Sequence, residues 1–335
     1  MQPGGSTPGV TAPEPILVAH DIHRSYGARR ALRSLSFTLR PGRVLGFLGP
    51  NGAGKTTAIR VLTTVLEPTS GRFEVDGVGS EHPDRIRRRI GVLPEGLGFP
   101  RHTSGADYLA YFGQLYGRSR SDARQVGRKL LDDVGLAARG DSLIETYSHG
   151  MRQRLGIARS LVNDPRVVFL DEPTLGLDPR GQAELLGLIQ GIARDRSTGV
   201  VLSSHLLSEI ENICDDVVIM NDGQIVARGT VAEVLQQEGG DAQDAHTVRV
   251  RVPVADVGRA GSIVEGLTGM TRRDTDPSGW LTIQIAVANG SSPLDADRNR
   301  LLDALIKADV PILGFEIAGA RLQDVFLRLT AESIA

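Results

Sequence analysis

The chain contains one cysteine, Cys214, and aromatic residues make up only 4% of its 335 positions. A single cysteine excludes an intramolecular disulfide framework and is typical of proteins from a reducing cytosol. No stretch approaches the roughly 18 consecutive apolar residues that a membrane-spanning helix needs, so any membrane role is expected to depend on a partner. The formal net charge is −2, which gives no general electrostatic reason to bind nucleic acid.

The length of the chain suggests two domains. The first fifteen residues hold four prolines and three glycines and lack a hydrophobic segment, which predicts a disordered tail over 1–15 rather than a signal peptide. A polar, glycine-containing stretch is predicted to form a linker over 238–246. These boundaries leave a first domain over 16–237 and an accessory domain over 247–335.

Apolar periodicity predicts an α/β fold for the first domain. Leu35, Phe37 and Leu39 alternate as in a half-buried strand, whereas the pattern between about 104 and 162 is helical. Strands and helices then alternate along the chain until a hairpin that turns at Asn-Asp-Gly. This order predicts a largely parallel core sheet with an antiparallel part.

The accessory domain begins with strict alternation of valines, which predicts a strand that runs to Val254. A helix near 261–268, two hairpin strands, a helix near 297–308 and a strand at 311–317 are expected to follow. The β-α-β-β-α-β order predicts a small α+β domain of the ferredoxin-like type. Because no cluster of catalytic or metal-ligating residues occurs in it, a regulatory or dimer-stabilising role is favoured.

A glycine-rich segment lies between a predicted buried strand, Val44 to Leu48, and a predicted helix, and it fits the phosphate-loop pattern G-x-x-x-x-G-K-[ST]. Its successive backbone N–H groups and the helix N-terminus form a cradle for phosphate oxygens. Lys55 is expected to reach the β- and γ-phosphates, and Thr56 to bind Mg²⁺. The residues predicted to contact the nucleotide here are Gly49, Pro50, Asn51, Gly52, Ala53, Gly54, Lys55, Thr56 and Thr57.

A second apolar strand, which starts at Val167, ends in two acids, Asp171 and Glu172. Such a strand end suits phosphoryl transfer, with Asp171 on Mg²⁺ and Glu172 orienting the attacking water. Because acids also begin many ordinary loops, this strand end alone is weak evidence for phosphoryl transfer. Other motifs in the chain have to support it. Ser148 is a good N-cap for the helix that follows it, and its hydroxyl together with Gly150 at a helix start also suits an anion.

These ordered motifs resemble those of the ATP-binding cassette (ABC) transporter ATPases, over residues 16 to about 237. The phosphate loop matches their Walker A motif, Asp171 and Glu172 match the Walker B pair, and Ser148 with Gly150 matches the signature sequence. The resemblance implies a P-loop (RecA-like) α/β core with an antiparallel β-part and a helical subdomain at about 95–165.

Three further residues take their roles from this resemblance. Tyr26 matches the aromatic residue that stacks on adenine, although an ordinary strand-edge aromatic is the alternative. His205, after two serines, matches the switch histidine at the γ-phosphate, although it could merely begin its helix. Glu95 falls at the position of the family's Q-loop glutamine, which implies that it binds Mg²⁺ with Thr56 and Asp171.

The sequence departs from the family pattern at three places. Glu95 replaces a neutral amide and adds negative charge beside the phosphates. His149 and Met151 replace the usual Gly and Gln of the signature sequence, while the phosphate-contacting pair is retained. Leu175 lies at the start of the D-loop, the loop that follows the Walker B pair, where the family often has Ser.

The residues of the signature segment and the closing segment Leu322-Gln323-Asp324-Val325-Phe326 are similar to those of ABC-2-type exporter ATPases of the daunorubicin-resistance type. That resemblance implies an enzyme that hydrolyses ATP with Mg²⁺ and powers a separate membrane-spanning permease. It would work at the cytoplasmic face of the cell membrane and export a drug, a lipid or another complex substrate. One cassette per chain implies a homodimer, or a pair with a sister chain, that sandwiches ATP.

Two alternatives belong to other classes. A soluble ABC-type ATPase would act on ribosomes or DNA, but the ribosomal type usually carries two cassettes, and the DNA-repair type inserts a long coiled coil between Walker A and the signature. Here 93 positions separate Lys55 from Ser148, without a long heptad run, and no nucleic-acid partner is expected. A non-catalytic regulatory module is disfavoured by the complete set of motifs.

Overall fold

The computed structural model describes residues 14–96, 98–204, 206–238, 247–286, 294–318 and 322–331. They form two compact units, one up to Val231 and one from Ala232 to Ala331. Most of the predicted tail, almost all of the predicted linker and His205 lie outside the described residues.

A six-stranded sheet forms the centre of the first unit. Its strands, in spatial order, are β10 (Gln224–Thr230), β9 (Asp216–Asn221), β3 (Val44–Leu48), β8 (Gly199–Ser203), β7 (Val167–Asp171) and β6 (Ile90–Leu93). The strands from β9 to β6 are parallel, and β10 pairs antiparallel with β9. Every residue of β3, β7 and β8 is buried, as expected for parallel strands covered on both faces. Their carboxyl ends share one edge of the sheet.

A smaller antiparallel sheet lies beside the central one. Its strands, in spatial order, are β2 (Arg29–Leu39), β1 (Leu17–Tyr26), β4 (Ser70–Val75) and β5 (Val78–Gly79). Phe37 of β2 packs edge-on against Phe47 of β3, with 5.3 Å between the ring centroids. The two sheets therefore share one apolar core, into which Leu35 and Leu39 also point, as their alternation predicts.

The described part of the first unit also contains seven α-helices: α1 (Lys55–Leu62), α2 (Pro83–Arg87), α3 (Gly105–Leu115), α4 (Arg120–Asp133), α5 (His149–Ser160), α6 (Pro179–Arg196) and α7 (Leu207–Ile213). Three of them, α3 to α5, fill the predicted helical region. Each begins at a serine N-cap, Ser104, Ser119 or Ser148, whose hydroxyl accepts the N–H three residues on. No helix in the described part of the chain is long and apolar enough to cross a membrane.

The second unit is an antiparallel four-stranded sheet with helices. Its elements are α8 (Val231–Glu238), β11 (Thr247–Arg251), α9 (Val257–Glu265), β12 (Met270–Thr275), β13 (Trp280–Ile285), α10 (Leu294–Lys307), β14 (Gly314–Ala318) and α11 (Leu322–Ala331). The spatial order β12-β13-β11-β14 and the β-α-β-β-α-β sequence from β11 to β14 are those of a ferredoxin-like fold. Val248, Val250, Ile283 and Leu301 belong to its separate core.

Two expectations for the start of this unit are wrong. The first strand ends at Arg251, and Val254 is 66% exposed in a short 3₁₀ turn. Pro253, which lacks an N–H and therefore cannot donate to a ladder, directly precedes that turn. The following helix begins at Val257 rather than near 261.

Candidate active site

The loop between β3 and α1 contains glycines at positions where another residue would be strained or would clash. Gly52 and Gly54 have φ values of 86° and 106°, a left-handed region that strains L-residues. A Cβ on Gly49 would lie 2.5 Å from the Met220 carbonyl oxygen, and one on Gly54 would lie 2.7 Å from that of Ala31. The loop is therefore held tightly around the N-terminus of α1, where backbone N–H groups can face an anion.

Lys55 is the first residue of α1, and it is only 8% exposed. Its Nζ donates a hydrogen bond of 2.6 Å to the Gly49 carbonyl oxygen, which curls the side chain over the loop. Burial lowers the pKa of Lys55 below its ordinary value, and the nearby carboxylates of Glu172, Asp171 and Glu95 oppose that shift. The loop thus holds a cation that an anionic ligand would stabilise.

Two carboxylates lie at the carboxyl end of β7, opposite this lysine. The Ser203 hydroxyl donates to Asp171 Oδ1 at 2.6 Å and accepts the Glu172 N–H at 3.0 Å. Thr56 Oγ1 lies 3.5 Å from the same Asp171 oxygen. Glu172 itself has a φ of 49°, an uncommon value that costs conformational energy and is typical of functional positions.

A cavity of about 600 Å³ opens beside the phosphate loop. Its walls include six loop residues from Asn51 to Thr56 together with Thr57, Arg60, Tyr26, Glu95, Glu172 and Leu175. Tyr26 is 43% exposed at the end of β1, and the Arg24 guanidinium carbon lies 5.0 Å from its ring centroid. A half-exposed aromatic ring and an anion cradle on one cavity suit a ligand with a flat base and phosphates.

The predicted site residues therefore fall into three groups. Tyr26, Glu95, Glu172 and residues 51–57 of the phosphate loop line one cavity, and Asp171 adjoins it through Thr56. Gly49 and Pro50, at the start of the loop, are not among the lining residues. Ser148 and Gly150, at the start of α5, are not among the residues that line it. His205 lies outside the described residues.

A second cavity, of about 390 Å³, is lined both by residues of α5 and by the two carboxylate residues. His149 and Arg152 contribute to its lining from α5, and Asp171 and Glu172 contribute from the carboxyl end of β7. His149 Nε2 lies 2.9 Å from the Leu175 carbonyl oxygen. The unusual histidine of the signature sequence is thus in contact with the loop after Glu172 in the same chain.

Sequence reasoning missed Ser203, whose hydroxyl bonds to the Asp171 carboxylate and to the Glu172 backbone N–H. A signal for it exists, because Ser203 ends the strand that neighbours β7 in a parallel sheet and lies opposite Asp171 in the register. Polar residues at adjacent strand ends of a parallel sheet meet at the same edge. Arg60, which lines the cavity, has no comparable sequence signal.

The residues present fit a Mg–nucleotide ligand. Within the described residues, no three His, Cys, Asp or Glu side chains cluster into a cage that could hold a metal alone. Mg²⁺ commonly takes only one or two protein carboxylates and completes its shell with water and phosphate oxygens. The neighbouring Thr56 hydroxyl and Asp171 carboxylate, beside a phosphate cradle, match that requirement.

Comparisons with known proteins agree with this geometry. A family model described as ABC transporter matches residues 32–175. The daunorubicin/doxorubicin resistance ATP-binding protein DrrA of Streptomyces peucetius is 34% identical over 326 residues, which cover 96% of this chain and 94% of that protein.

Solved structures give the same result for the fold. An ATP-binding subunit of an ABC transporter aligns with a TM-score of 0.59 at 28% identity, over 67% of this chain and 93% of that one. A dimeric ATP-binding cassette in a post-hydrolysis state, bound to ADP and Pi, aligns with a TM-score of 0.59 at 19% identity, over 64% of this chain and 98% of that one. Because the similarity to the Streptomyces peucetius protein spans nearly the whole of both chains, this chain belongs to the ATP-binding proteins of ABC transporters and is an ATPase.

Proposed function

We propose that this ATPase binds Mg–ATP at the cavity beside the phosphate loop and uses Glu172 to activate the attacking water. The observation that carries the proposal is the meeting of Lys55, Thr56, Asp171 and Glu172 at one edge of the central sheet. A buried lysine, a hydroxyl and two carboxylates at the mouth of a phosphate cradle are the groups that phosphoryl transfer needs.

Each side chain has a distinct task in this proposal. The loop N–H groups and Lys55 bind the phosphates, and Tyr26 stacks on adenine. Mg²⁺, held by Thr56, Asp171 and Glu95, supplies positive charge against the phosphate oxygens. Glu172 accepts a hydrogen bond or a proton from water.

The family resemblance also assigns His205 to the γ-phosphate. The side chain would hydrogen-bond the phosphate that is cleaved, so that hydrolysis changes its contacts. This role rests on its place in the sequence, after Ser203, which ends β8, and Ser204.

A second cassette completes the site. Ser148 and Gly150 do not line the chain's own cavity, so in our proposal they bind the ATP of a partner cassette, at the start of α5. The dimeric post-hydrolysis cassette that shares this fold supports such an arrangement. The partner would be a second copy or a sister chain.

The membrane partner is proposed to be a separate ABC-2-type permease. The Streptomyces peucetius relative is named for resistance to daunorubicin and doxorubicin, which supports export of a drug or another hydrophobic or complex substrate. Exposed apolar side chains on α3, Tyr111 at 57% and Leu115 at 62%, offer a surface for that permease. The cassette would then work at the cytoplasmic face of the membrane.

The chemistry is tested by Glu172→Gln in the full chain. The variant keeps its shape but cannot accept a proton, so we expect ATP binding to persist while turnover falls at least about 100-fold. The measurements are nucleotide binding by fluorescence and phosphate release with Mg²⁺. Glu211→Gln, at an exposed position of α7, is the control and should leave both unchanged. Near-normal turnover in Glu172→Gln would refute the assignment.

A further inference from the structure

Glu209 is a buried carboxylate that the proposed chemistry does not use. It is the third residue of α7 and is 5% exposed. Its Oε2 accepts hydrogen bonds from Thr174 Oγ1 at 2.9 Å and from Ser204 Oγ at 2.6 Å. Its Oε1 is buried without a hydrogen-bond partner in the described part of the structure. Burying a carboxylate with half of its acceptors unused costs free energy, so a reason for its presence is needed.

The two hydroxyls on Glu209 come from the two loops that carry the proposed chemistry. Thr174 lies two residues after Glu172 in the loop between β7 and α6. Ser204 follows Ser203, which bonds to Asp171 and to the Glu172 N–H. Ser203 therefore contacts the start of the loop after β7 directly. Ser204, the next residue, is connected to Thr174 of the same loop through Glu209.

Backbone geometry indicates why the hydrogen bonds that connect Thr174 to Ser204 through Glu209 would help to position Glu172. Glu172 is held at a φ of 49°, a conformation that persists only when neighbouring contacts enforce it. The Leu175 N–H bonds to the Glu172 carbonyl oxygen at 3.3 Å, so the turn is short. Fixing Thr174 therefore also restricts the direction in which the Glu172 side chain leaves the backbone.

We propose that Glu209 is a positioning residue for ATP hydrolysis. One carboxylate oxygen clamps Thr174 to Ser204 and thereby fixes the loop that carries Glu172 against the end of β8. Hydrogen bonds to an ionised carboxylate are shorter and stronger than neutral ones, which suits a joint that must keep its geometry during turnover. This inference rests on the proposed role of Glu172.

The test compares the kinetics of Glu209→Gln and Ser204→Ala in the full chain. A misplaced general base slows the chemical step without altering nucleotide contacts, so kcat should fall about 10- to 100-fold. The KM for ATP and the ATP affinity should stay within about twofold. Because both residues belong to one clamp, Glu209→Gln combined with Ser204→Ala should be no slower than the slower single variant.

Thr198→Val is the matched control for a merely structural effect. Thr198 is also buried, and its hydroxyl donates to the Pro165 carbonyl oxygen at 3.3 Å at the opposite end of β8. It should lower the melting temperature but leave kcat unchanged. Thr174→Val and Thr174→Ser form a second pair, in which only the variant that retains the hydroxyl should keep normal turnover, even where a Glu209 variant fails to fold.

Three results would overturn the clamp. They are a kcat loss in Thr198→Val as large as that in Glu209→Gln, parallel changes of kcat and KM, or fully additive losses in the double variant. Glu172→Gln is assayed alongside. Normal turnover in that variant would refute the proposed role of Glu172, whereas its inactivity with an active Glu209→Gln would refute the clamp alone.

Discussion

At the scale of single residues, Lys55 shows how the free site is prepared for an anion. The side chain is buried, and its Nζ is bound to a loop carbonyl oxygen. Burial lowers its pKa because the ammonium loses hydration, while Glu172, Asp171 and Glu95 only partly compensate. Phosphate oxygens in contact with Nζ would favour the charged form and raise the pKa again.

The lower pKa of Lys55 in the free protein and its rise in the ATP complex predict proton uptake on ATP binding at alkaline pH. Between the lowered pKa of the free protein and the raised pKa of the complex, Lys55 is partly neutral before binding and charged after it. ATP affinity should therefore fall as the pH rises through the lower of these values. Isothermal titration calorimetry over a series of alkaline pH values, in two buffers of different ionisation enthalpy, measures the uptake.

Two variants separate Lys55 from other groups. Lys55→Arg stays charged throughout this alkaline range, so whatever binding it retains should proceed without proton uptake. Lys129→Met, at an exposed position of α4, should take up protons as the natural chain does. Equal uptake in Lys55→Arg would show that another group supplies the signal.

Sequence reasoning reaches some of these residues and not others, for a physical reason. The phosphate loop is local: nine consecutive residues define its anion cradle, and β3 and α1 flank it as predicted. Ser203 and Glu209 act through contacts between separate strands and helices, with sequence separations of 32 and 35 for their bonds to Asp171 and Thr174. Such contacts become visible only once the strand order is known.

At the scale of elements, our proposal gives Ser148, at the start of α5, two functions. Ser148 is the N-cap, and its hydroxyl accepts the Met151 N–H at 3.2 Å. In the proposed sandwich the same helix start faces the phosphates of a second cassette. Ser148→Asp separates the two functions, because Asp caps helices as well as Ser does but would oppose the phosphate charge.

We expect Ser148→Asp to leave the free energy of unfolding within about 0.5 kcal/mol of the natural chain. ATP-dependent dimerisation should weaken at least about tenfold, because like charges then meet across the interface. Thermal unfolding and light scattering of the Glu172→Gln protein with ATP measure the two effects. Ser119→Asp, at the equivalent cap of α4, should dimerise normally; a normal dimer of Ser148→Asp would contradict the sandwich.

Element boundaries mark another limit of the sequence. Alternating valines predict a strand that runs to Val254, yet β11 ends at Arg251. Val252 remains fully buried, so the hydrophobic pattern continues by one residue beyond the ladder. The alternation of apolar residues indicates which side chains are buried, whereas a strand also needs backbone hydrogen bonds to a neighbouring strand. Pro253 cannot donate such a bond because it has no backbone N–H.

At the scale of the whole molecule, the order of elements carries most of the fold. The alternation in the first unit gives the parallel sheet, and the β-α-β-β-α-β order in the second gives the ferredoxin-like sheet. The surface that a permease would cover is harder to infer. Tyr111 and Leu115 continue the helical pattern of α3, but they are exposed, and periodicity alone does not separate them from core residues.

The exposed apolar face of α3 is expected to bind the permease in the assembled transporter. Tyr111 and Leu115 lie four residues apart and therefore on one face of α3. Replacing both by Glu puts charge where an apolar partner surface would lie, so recovery of a membrane-spanning partner should fall at least about tenfold. The measurement is a tagged pull-down from detergent-solubilised membranes of the source cell, followed by mass spectrometry.

Val65→Glu is the control, since Val65 is also apolar and is 69% exposed after α1. It should recover the partner as the natural chain does, and neither variant should lose ATP binding, because none of the three positions lines the cavity beside the phosphate loop. Equal recovery with both α3 substitutions would exclude this face as the docking surface. Recovery of ribosomal or DNA-associated proteins alone would contradict the transport role. It would leave the ATPase assignment in place, because that assignment does not depend on the identity of the partner.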